Sequence, residues 1–374
     1  MGKFIQNARP SLIGREKKYV LDCLEANWIS SVGKYVGRFE KKFARFHETK
    51  FAVSCNSGTA ALHASLLALG VKKGDEIIAP SLTYAATTNA IIYCGARPVL
   101  VDVDIETWCI DSSLIEKSVT SKTKGIIVVH FFGHPVDMDP ILKIAKKFNL
   151  FVVEDNAQGI GALYKGRKTG TIGDVGVFSF FGSKLITTGE GGMVITDNKE
   201  LAEKVSLYKN QGTDPSRKYW FPVIGYNYRM TNIEAAIGLA QLEKIKTHIN
   251  ARRTIAKRYM EELKNVNSLI LPSERDYAFN VYWMFNVRLR DDVKRGRDEV
   301  IKKFIKYGID ARYIPYPIHM LPNYKKFTSN RKYPVSEKIF LRSITLPTHE
   351  GLKIKDIKYI CNKLKYILNE ANKK

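Results

Sequence analysis

Lys184 stands in an unusual setting within the stretch VGVFSFFGSKLITTGEGGMVIT, residues 175–196. Two runs rich in β-branched and aromatic residues, Val175 to Phe181 and Met193 to Thr196, are short enough to be buried strands. Lys184 lies between them, after Gly182 and Ser183 and before two threonines and Gly189-Glu190-Gly191-Gly192. An ε-amine held among apolar strands loses hydration, which disfavours its charged form and makes it a usable nucleophile or Schiff-base former. On position alone, an ordinary surface-loop lysine explains the residue equally well. Two further features bear on the same chemistry. Asp155 follows LFVVE directly, so a carboxylate emerges at a strand end close to a buried core, although a lone strand-end aspartate is more often an N-cap or turn residue. Asn56-Ser57-Gly58-Thr59 joins the strand FAVSC to the apolar helix AALHASLLALG. A strand, a small polar turn and a helix start can bind phosphate, because free N–H groups and the helix dipole converge where Ser57 and Thr59 add hydroxyls; a plain Ser57 N-cap accounts for the same residues. With no GxxxxGK[ST], a Walker nucleotide site is excluded.

The elements that must position these groups alternate. EIIAP reads as a strand, Tyr84 to Tyr93 as a helix, PVLVDVD as a strand, Ser112 to Ser118 as a helix, GIIVVHFFGHP as strand and loop, Met138 to Phe148 as a helix and LFVVED as a strand. Near-continuous apolar strands alternating with helices specify an α/β fold with a mostly parallel sheet covered on both faces. Ligands in such sheets sit at the carboxyl ends of the strands, and Ser57, Tyr84, His130, Asp155 and Gln158 fall at or just past such ends. Before the sheet, helices over 14–26 and 37–46 flank the loop NWISSVGKYV, which carries Trp28, Ser30 and Ser31. After it come a helix over 200–209, the loop GTDPSRKYWFPVIGYNYRM and an amphipathic helix over 231–248. A long basic helix from Ala251 leads to a second, smaller α/β domain holding the strand VYWMFNVRLR, helices over 298–307 and 353–369, and the loop RYIPYPIHMLPNY. The expected division is 1–245 for the large domain and 246–374 for the small one.

The 374 residues, 45% of them hydrophobic, suffice for a large core plus a second domain. The start, MGKFIQNARPSLIG, lacks the apolar region of a signal peptide, and no run approaches the roughly 18 apolar residues of a membrane span; a cytoplasmic protein with no membrane partner is expected. Five cysteines, scattered and without CxxC spacing, point to reduced thiols rather than disulfides or a metal site. Sixty Lys and Arg against 37 Asp and Glu give a net charge of +23. Such a field favours anionic partners, but the lysines are spread over many presumed helices, without a basic arm or an RNP-like strand. That distribution reads as a basic surface and not a nucleic-acid site.

NSGTAAL, SLTYAATTNAI, VVEDNAQGIGA, FSFFGSKLITTGEGGMV and GYNYRMTNIEAAIGLAQLE occur in this order, and together they resemble the nucleotide-sugar aminotransferases of the DegT/StrS family over nearly the whole chain. The resemblance implies the aspartate-aminotransferase fold (fold type I), pyridoxal 5′-phosphate as cofactor, and a homodimer whose active sites lie at the subunit interface. It implies that Lys184 is the Schiff-base lysine, that Asp155 pairs with the pyridine nitrogen, and that Gln158 lies near the ring's 3′-oxygen. By the same resemblance Ser57, Gly58, Thr59 and Ser179 hold the phosphate, Tyr84 stacks on the ring, and Asn227 reaches the phosphate of the neighbouring subunit. His319, in PYPIH, matches a family histidine near the sugar, and Trp28 and Ser30 are substrate candidates. The implied reaction passes an amino group from L-glutamate, which leaves as 2-oxoglutarate, to a nucleotide-linked 4-keto-6-deoxy sugar. WISSVGKYV, TGEGGMV and YWFPVIGYNYRMTN look most like the members that act on GDP-4-keto-6-deoxy-D-mannose; relatives acting on UDP- or dTDP-4-keto-6-deoxyglucose share the catalytic residues. Dehydratases of the family resemble this chain with histidine at the lysine position, so Lys184 speaks against that chemistry. A non-enzymatic regulator would be expected to lack the lysine or the aspartate.

Overall fold

The computed structural model describes residues 4–328 and 331–371. A seven-stranded sheet contains β1 (Phe51–Cys55), β2 (Glu76–Pro80), β3 (Arg97–Val101), β4 (Thr123–Val129), β5 (Phe151–Asp155), β8 (Val175–Ser179) and β9 (Gly192–Thr196), with a small hairpin, β6 (Leu163–Tyr164) and β7 (Arg167–Lys168), outside it. The strand order is β1-β9-β8-β5-β4-β2-β3. β9 runs antiparallel to both neighbours and every other pairing in the sheet is parallel. Strands such as β2 and β9 are buried at every residue, which requires cover on both faces. The helices α1 (Glu16–Glu25), α2 (Lys34–His47), α3 (Gly58–Ala68), α4 (Ala85–Tyr93), α5 (Met138–Phe148), α6 (Lys199–Lys209) and α7 (Asn232–Leu242) lie in the surrounding layers. α3 is apolar around its circumference because it packs against the sheet, α4 and α6 at once. α5, by contrast, buries Met138, Ile141 and Ala145 and turns its lysines outward.

A second core gathers Tyr259, Phe285, Phe304, Ile344 and Leu364, with Ile5 from the start of the chain. It is built on α8 (Ile245–Leu263), α9 (Arg297–Lys306), α12 (Ile354–Ala371) and the antiparallel sheet β10-β12-β13. Those strands are Leu269–Ile270, Phe285–Leu289 and Ser343–Leu346; β11 (Ala278–Phe279) pairs with β6 instead, and α10 (Lys325–Thr328) and α11 (Pro334–Arg342) complete the element order.

Three expectations need correction. Residues 112–118 are two 3-10 turns, not an α-helix; Asp111 accepts hydrogen bonds from the Ser113 N–H and hydroxyl, and such local side-chain bonds compete with helix formation. The helix expected over 231–248 breaks at Glu243-Lys244 into α7 and α8, the first fixed by a capping box between Thr231 and Glu234. Only the second half of VYWMFNVRLR is strand: the Val281 and Trp283 N–H groups donate to Gly133 O (3.2 Å) and Phe132 O (3.0 Å), which ties this segment to the loop after β4. Among the described residues, no helix is long and apolar enough to cross a membrane, and no group of three or more His, Cys, Asp or Glu is placed to hold a metal.

Candidate active site

A cavity of about 540 Å³ opens at the carboxyl ends of the central strands. Ser57, Gly58 and Thr59 at the start of α3, Tyr84 and Thr87 at the start of α4, Asp155 and Gln158 at and after β5, and Ser179 and Lys184 at and after β8 all line it. The fold therefore brings together eight of the expected cofactor residues that lie up to 127 positions apart.

Asp155 closes a strand paired on both sides, so its carboxylate is buried. Oδ2 accepts the Thr87 hydroxyl at 2.7 Å and Oδ1 the Ala157 N–H at 3.2 Å. Burial pushes this carboxyl above its ordinary pKa, against the opposing pull of those hydrogen bonds, Lys184 and His130. The preceding Glu154, which strand alternation turns to the other face, meets the opposite fate. It accepts the N–H groups of Gly170 (2.8 Å), Ile172 and Gly173 (both 2.6 Å) and pairs with His130 Nε2 at 2.9 Å. Burial raises its pKa, but the histidine and the backbone donors outweigh that and hold it low. His130, whose Nδ1 accepts the Val136 N–H at 3.1 Å, is thus committed to Glu154 behind the cavity. Of two adjacent buried carboxylates, one is fully satisfied and the other, among the described residues, has no ion-pair partner.

Lys184 supplies the complementary group. The residue keeps some exposure through the cavity, yet its amine is enclosed well enough that burial lowers its pKa to about 8, Asp155 pulling the other way. Its Nζ lies 4.0 Å from the centre of the Trp283 ring. The loop that carries it is held by hydrogen bonds from Lys184 N to Phe181 O (2.9 Å), from Thr188 N to Phe180 O (2.9 Å) and from the Thr187 hydroxyl to Phe180 O (2.9 Å). Gly191, at φ +155°, lies where a Cβ would stand 2.2 Å from the Thr188 hydroxyl oxygen.

The turn that opens α3 is equally specific. Ser57 caps α3 through the Ala60 N–H (3.1 Å), so capping and cavity lining are both true of it. A Cβ at Gly58 would sit 2.8 Å from the Ser179 Cβ, so any side chain there would fill the cradle between them. Gln158 Oε1 accepts the Phe132 N–H at 2.7 Å, which, among the described residues, leaves its amide nitrogen as a donor without a partner.

These residues fit pyridoxal 5′-phosphate. A hydroxyl-lined helix start suits a dianion, a buried carboxylate without a cation suits a protonated ring nitrogen, and a buried amine with a lowered pKa suits an aldehyde.

Four expected residues stay outside the cavity of their own chain. Trp28, 53% exposed, borders a separate hollow of about 400 Å³ with Asp22 and Lys34, and Ser30 is exposed beside it, its carbonyl accepting the Asn232 N–H at 2.7 Å. Asn227 is exposed, and its carbonyl accepts from Asn56 Nδ2 (3.3 Å) beside the turn that opens α3. His319 pairs with Glu337 at 3.1 Å and packs on Tyr333, and burial lowers its pKa; it does not line the cavity. Tyr84 lines the mouth and is 65% exposed. Sequence reasoning missed Thr87 and Trp283. Thr87, one turn into the helix that Tyr84 opens, was open to detection as a hydroxyl aimed at a strand end; Trp283 carries no local signal, since the partners of its ring, Ser183, Lys184 and Phe132, lie about 100 residues or more away in sequence.

The family model described as the DegT/DnrJ/EryC1/StrS aminotransferase family matches residues 10–365. GDP-perosamine synthase of Caulobacter vibrioides is 46% identical over 365 residues, covering 97% of this chain and 98% of the relative. The Escherichia coli O157:H7 protein of the same name is 47% identical over 363 residues, with 97% and 98% covered. Among solved structures, Helicobacter pylori PseC, an aminotransferase involved in the biosynthesis of pseudoaminic acid, superposes with a TM-score of 0.93 at 27% identity, covering 98% of this chain and all of its own. The chain belongs to the DegT/DnrJ/EryC1/StrS aminotransferase family, whose cofactor is pyridoxal 5′-phosphate.

Proposed function

We propose that this aminotransferase moves the amino group of L-glutamate to C4 of GDP-4-keto-6-deoxy-D-mannose, giving GDP-perosamine and 2-oxoglutarate. The observation that carries the reading is Lys184 and Asp155 facing one cavity in a chain that is 46% and 47% identical to two GDP-perosamine synthases along nearly its full length. In this reading the α3 start and Ser179 would hold the phosphate, Gln158 would donate to the ring's 3′-oxygen, Tyr84 would cover the ring, and Lys184 would make the covalent attachment. Asp155 would keep the ring nitrogen protonated, which would relieve its own unpaired charge. The bound cofactor supplies an electron sink that stabilises a carbanion at the substrate carbon. Lys184, with its amine free, would be the base and acid that takes and returns the proton at the substrate carbon; an amine with a pKa near 8 is suited to both halves of that task. Phe132, Trp283, Met284 and Ile314 give the cavity apolar walls that limit water at the reacting atoms.

The active unit in this reading is a cytoplasmic homodimer. Tyr219, Trp220, Phe221 and Ile224 form an exposed apolar loop beside the exposed Asn227, as expected of a segment that docks on a second copy. From there Asn227, and with it Trp28 and Ser30, would serve the partner's cavity. The net charge of +23 favours a substrate with an anionic pyrophosphate linker. Incubating the enzyme with pyridoxal 5′-phosphate, L-glutamate and GDP-, UDP- or dTDP-linked 4-keto-6-deoxy sugars, and weighing the products, tests the assignment. Amination of the UDP or dTDP sugar with the GDP sugar untouched would overturn it.

A further inference from the structure

Trp283 enters from the segment that leads into the second core, yet it touches the loop that carries Lys184. We propose that the indole face of Trp283 is the platform on which the Lys184 amine rests whenever it is not bonded to the cofactor, which makes Trp283 a positioning residue for the catalytic lysine. The inference rests on Lys184 being that lysine.

The Nζ stands 4.0 Å from the ring centroid, well inside the range of about 6 Å over which a cation is drawn to an aromatic face. Among the described residues it has no hydrogen-bond acceptor and no ion-pair partner, so the ring face is a contact with nothing of that kind to compete with it. The ring itself is fixed. Its Nε1–H donates to Ser183 O at 2.7 Å, the carbonyl immediately before Lys184, so indole and lysine backbone keep one registration. Its face stacks on Phe132 (5.9 Å between centroids, 18° between planes), and its N–H donates to Phe132 O at 3.0 Å. Its carbonyl accepts from Arg252 Nη1 at 3.5 Å, a guanidinium that is fully buried.

The arrangement solves a specific problem. A free ammonium in this cavity feels the pull of Asp155, and a lysine collapsed onto that carboxylate would occupy the partner of the ring nitrogen and leave the reacting carbon unattended. An aromatic face attracts the cation without offering an acceptor that would fix its proton. Phe132 extends the same unit to a second group, since its N–H holds Gln158. Phe132 sits at φ +53°, a conformation uncommon for a residue of its size, and the stacked indole is one of the contacts that hold it there.

Because the ring favours the charged amine, Trp283→Leu should lower the Lys184 pKa by about 0.5 to 1.5, a roughly 3- to 30-fold rise in the neutral-to-protonated ratio at a given pH. Trp283→Phe, which keeps a weaker face and loses the N–H to Ser183, should fall between. The readout is the pH dependence of trace acetylation of the Lys184 peptide, followed by mass spectrometry in the full-length chain, both cofactor-free and loaded with pyridoxamine 5′-phosphate. A midpoint that falls in the order Trp, Phe, Leu supports the proposal; midpoints of both variants within about 0.2 of wild type overturn it. Should Trp283→Leu not fold, the Phe variant decides alone, a wild-type midpoint counting against the platform. Borohydride labelling of the wild-type holoenzyme separates the two levels. An adduct on another lysine removes the underlying reading, whereas an adduct on Lys184 with unmoved midpoints removes only the role of Trp283.

Discussion

Replacing Lys184 with methionine should stabilise the cofactor-free protein at neutral pH, because the wild-type amine is held where its charge is unwelcome. Its pKa of about 8 in the folded chain compares with about 10.4 in an unfolded one. The unfolded state then binds the proton more tightly than the folded state, so the penalty is complete below about pH 8, shrinks as pH rises through the window, and is gone above about 10.4. A difference of about 2.4 units at roughly 1.4 kcal/mol each sets an upper bound near 3 kcal/mol. Two effects reduce it. Methionine gives up the attraction of the Trp283 face, worth about 0.5–2 kcal/mol, and Asp155 loses a nearby positive charge, so its carboxyl, already raised, rises further. A net gain of about 1–2 kcal/mol at pH 7, shrinking steadily by pH 10, is the expected outcome. Urea unfolding of cofactor-stripped wild type and Lys184→Met at one fixed protomer concentration measures it, the concentration being held because a dimer's stability depends on it. A variant less stable than wild type at pH 7, or a difference that does not change with pH, would refute the argument that burial of the amine sets its chemistry.

Other perturbations address the remaining parts of the site. Borohydride treatment of the holoenzyme should bleach its yellow band and leave a reduced pyridoxyl group on the Lys184 peptide, read by peptide mass. Asp155→Asn should weaken cofactor binding only modestly while turnover falls by orders of magnitude; near-normal turnover would return Asp155 to the rank of a turn residue. Gly58→Ala should weaken cofactor binding about 5- to 150-fold, the equivalent of about 1–3 kcal/mol of overpacking against the Ser179 Cβ at 2.8 Å, and Ser179→Gly in the same chain should restore part of it, as measured by cofactor titration. Mixing the inactive variants Lys184→Ala and Asn227→Asp should recover activity up to roughly a quarter of wild type per site, since about half the dimers would be mixed and each would hold one intact site; confirmed subunit exchange without recovery would place Asn227 in its own subunit's site.

What the sequence made legible, and what it hid, divides along a physical line. The parallel sheet announced itself because strands buried on both faces must be apolar throughout, and EIIAP and GIIVV could hardly be anything else. Asp155, Ser57 and Lys184 were readable for a related reason: polar residues placed immediately after such strands have only one end of the sheet to go to, and the cavity is at that end. Where two readings competed, they proved compatible, Ser57 being an N-cap and a cavity residue at once. The failures lie where local pattern does not decide. Apolar spacing ran through Glu243-Lys244 and hid the break between α7 and α8, because residues on both sides of it face one core. VYWMFNVRLR looked like a single strand, yet its first half leaves the second sheet to bond the Phe132–Gly133 backbone, and that departure delivers Trp283 to Lys184. A contact joining residues 100 positions apart is set by tertiary packing alone. The same limit applies to Asn227, Trp28 and His319: no spacing in one chain states which cavity a surface residue will serve, and the single chain leaves all three outside its own. In the proposed dimer the roles of Asn227 and Trp28 would turn on assembly, and a residue that is idle in the protomer could still be essential there, because a two-fold interface returns the same loop to both sites.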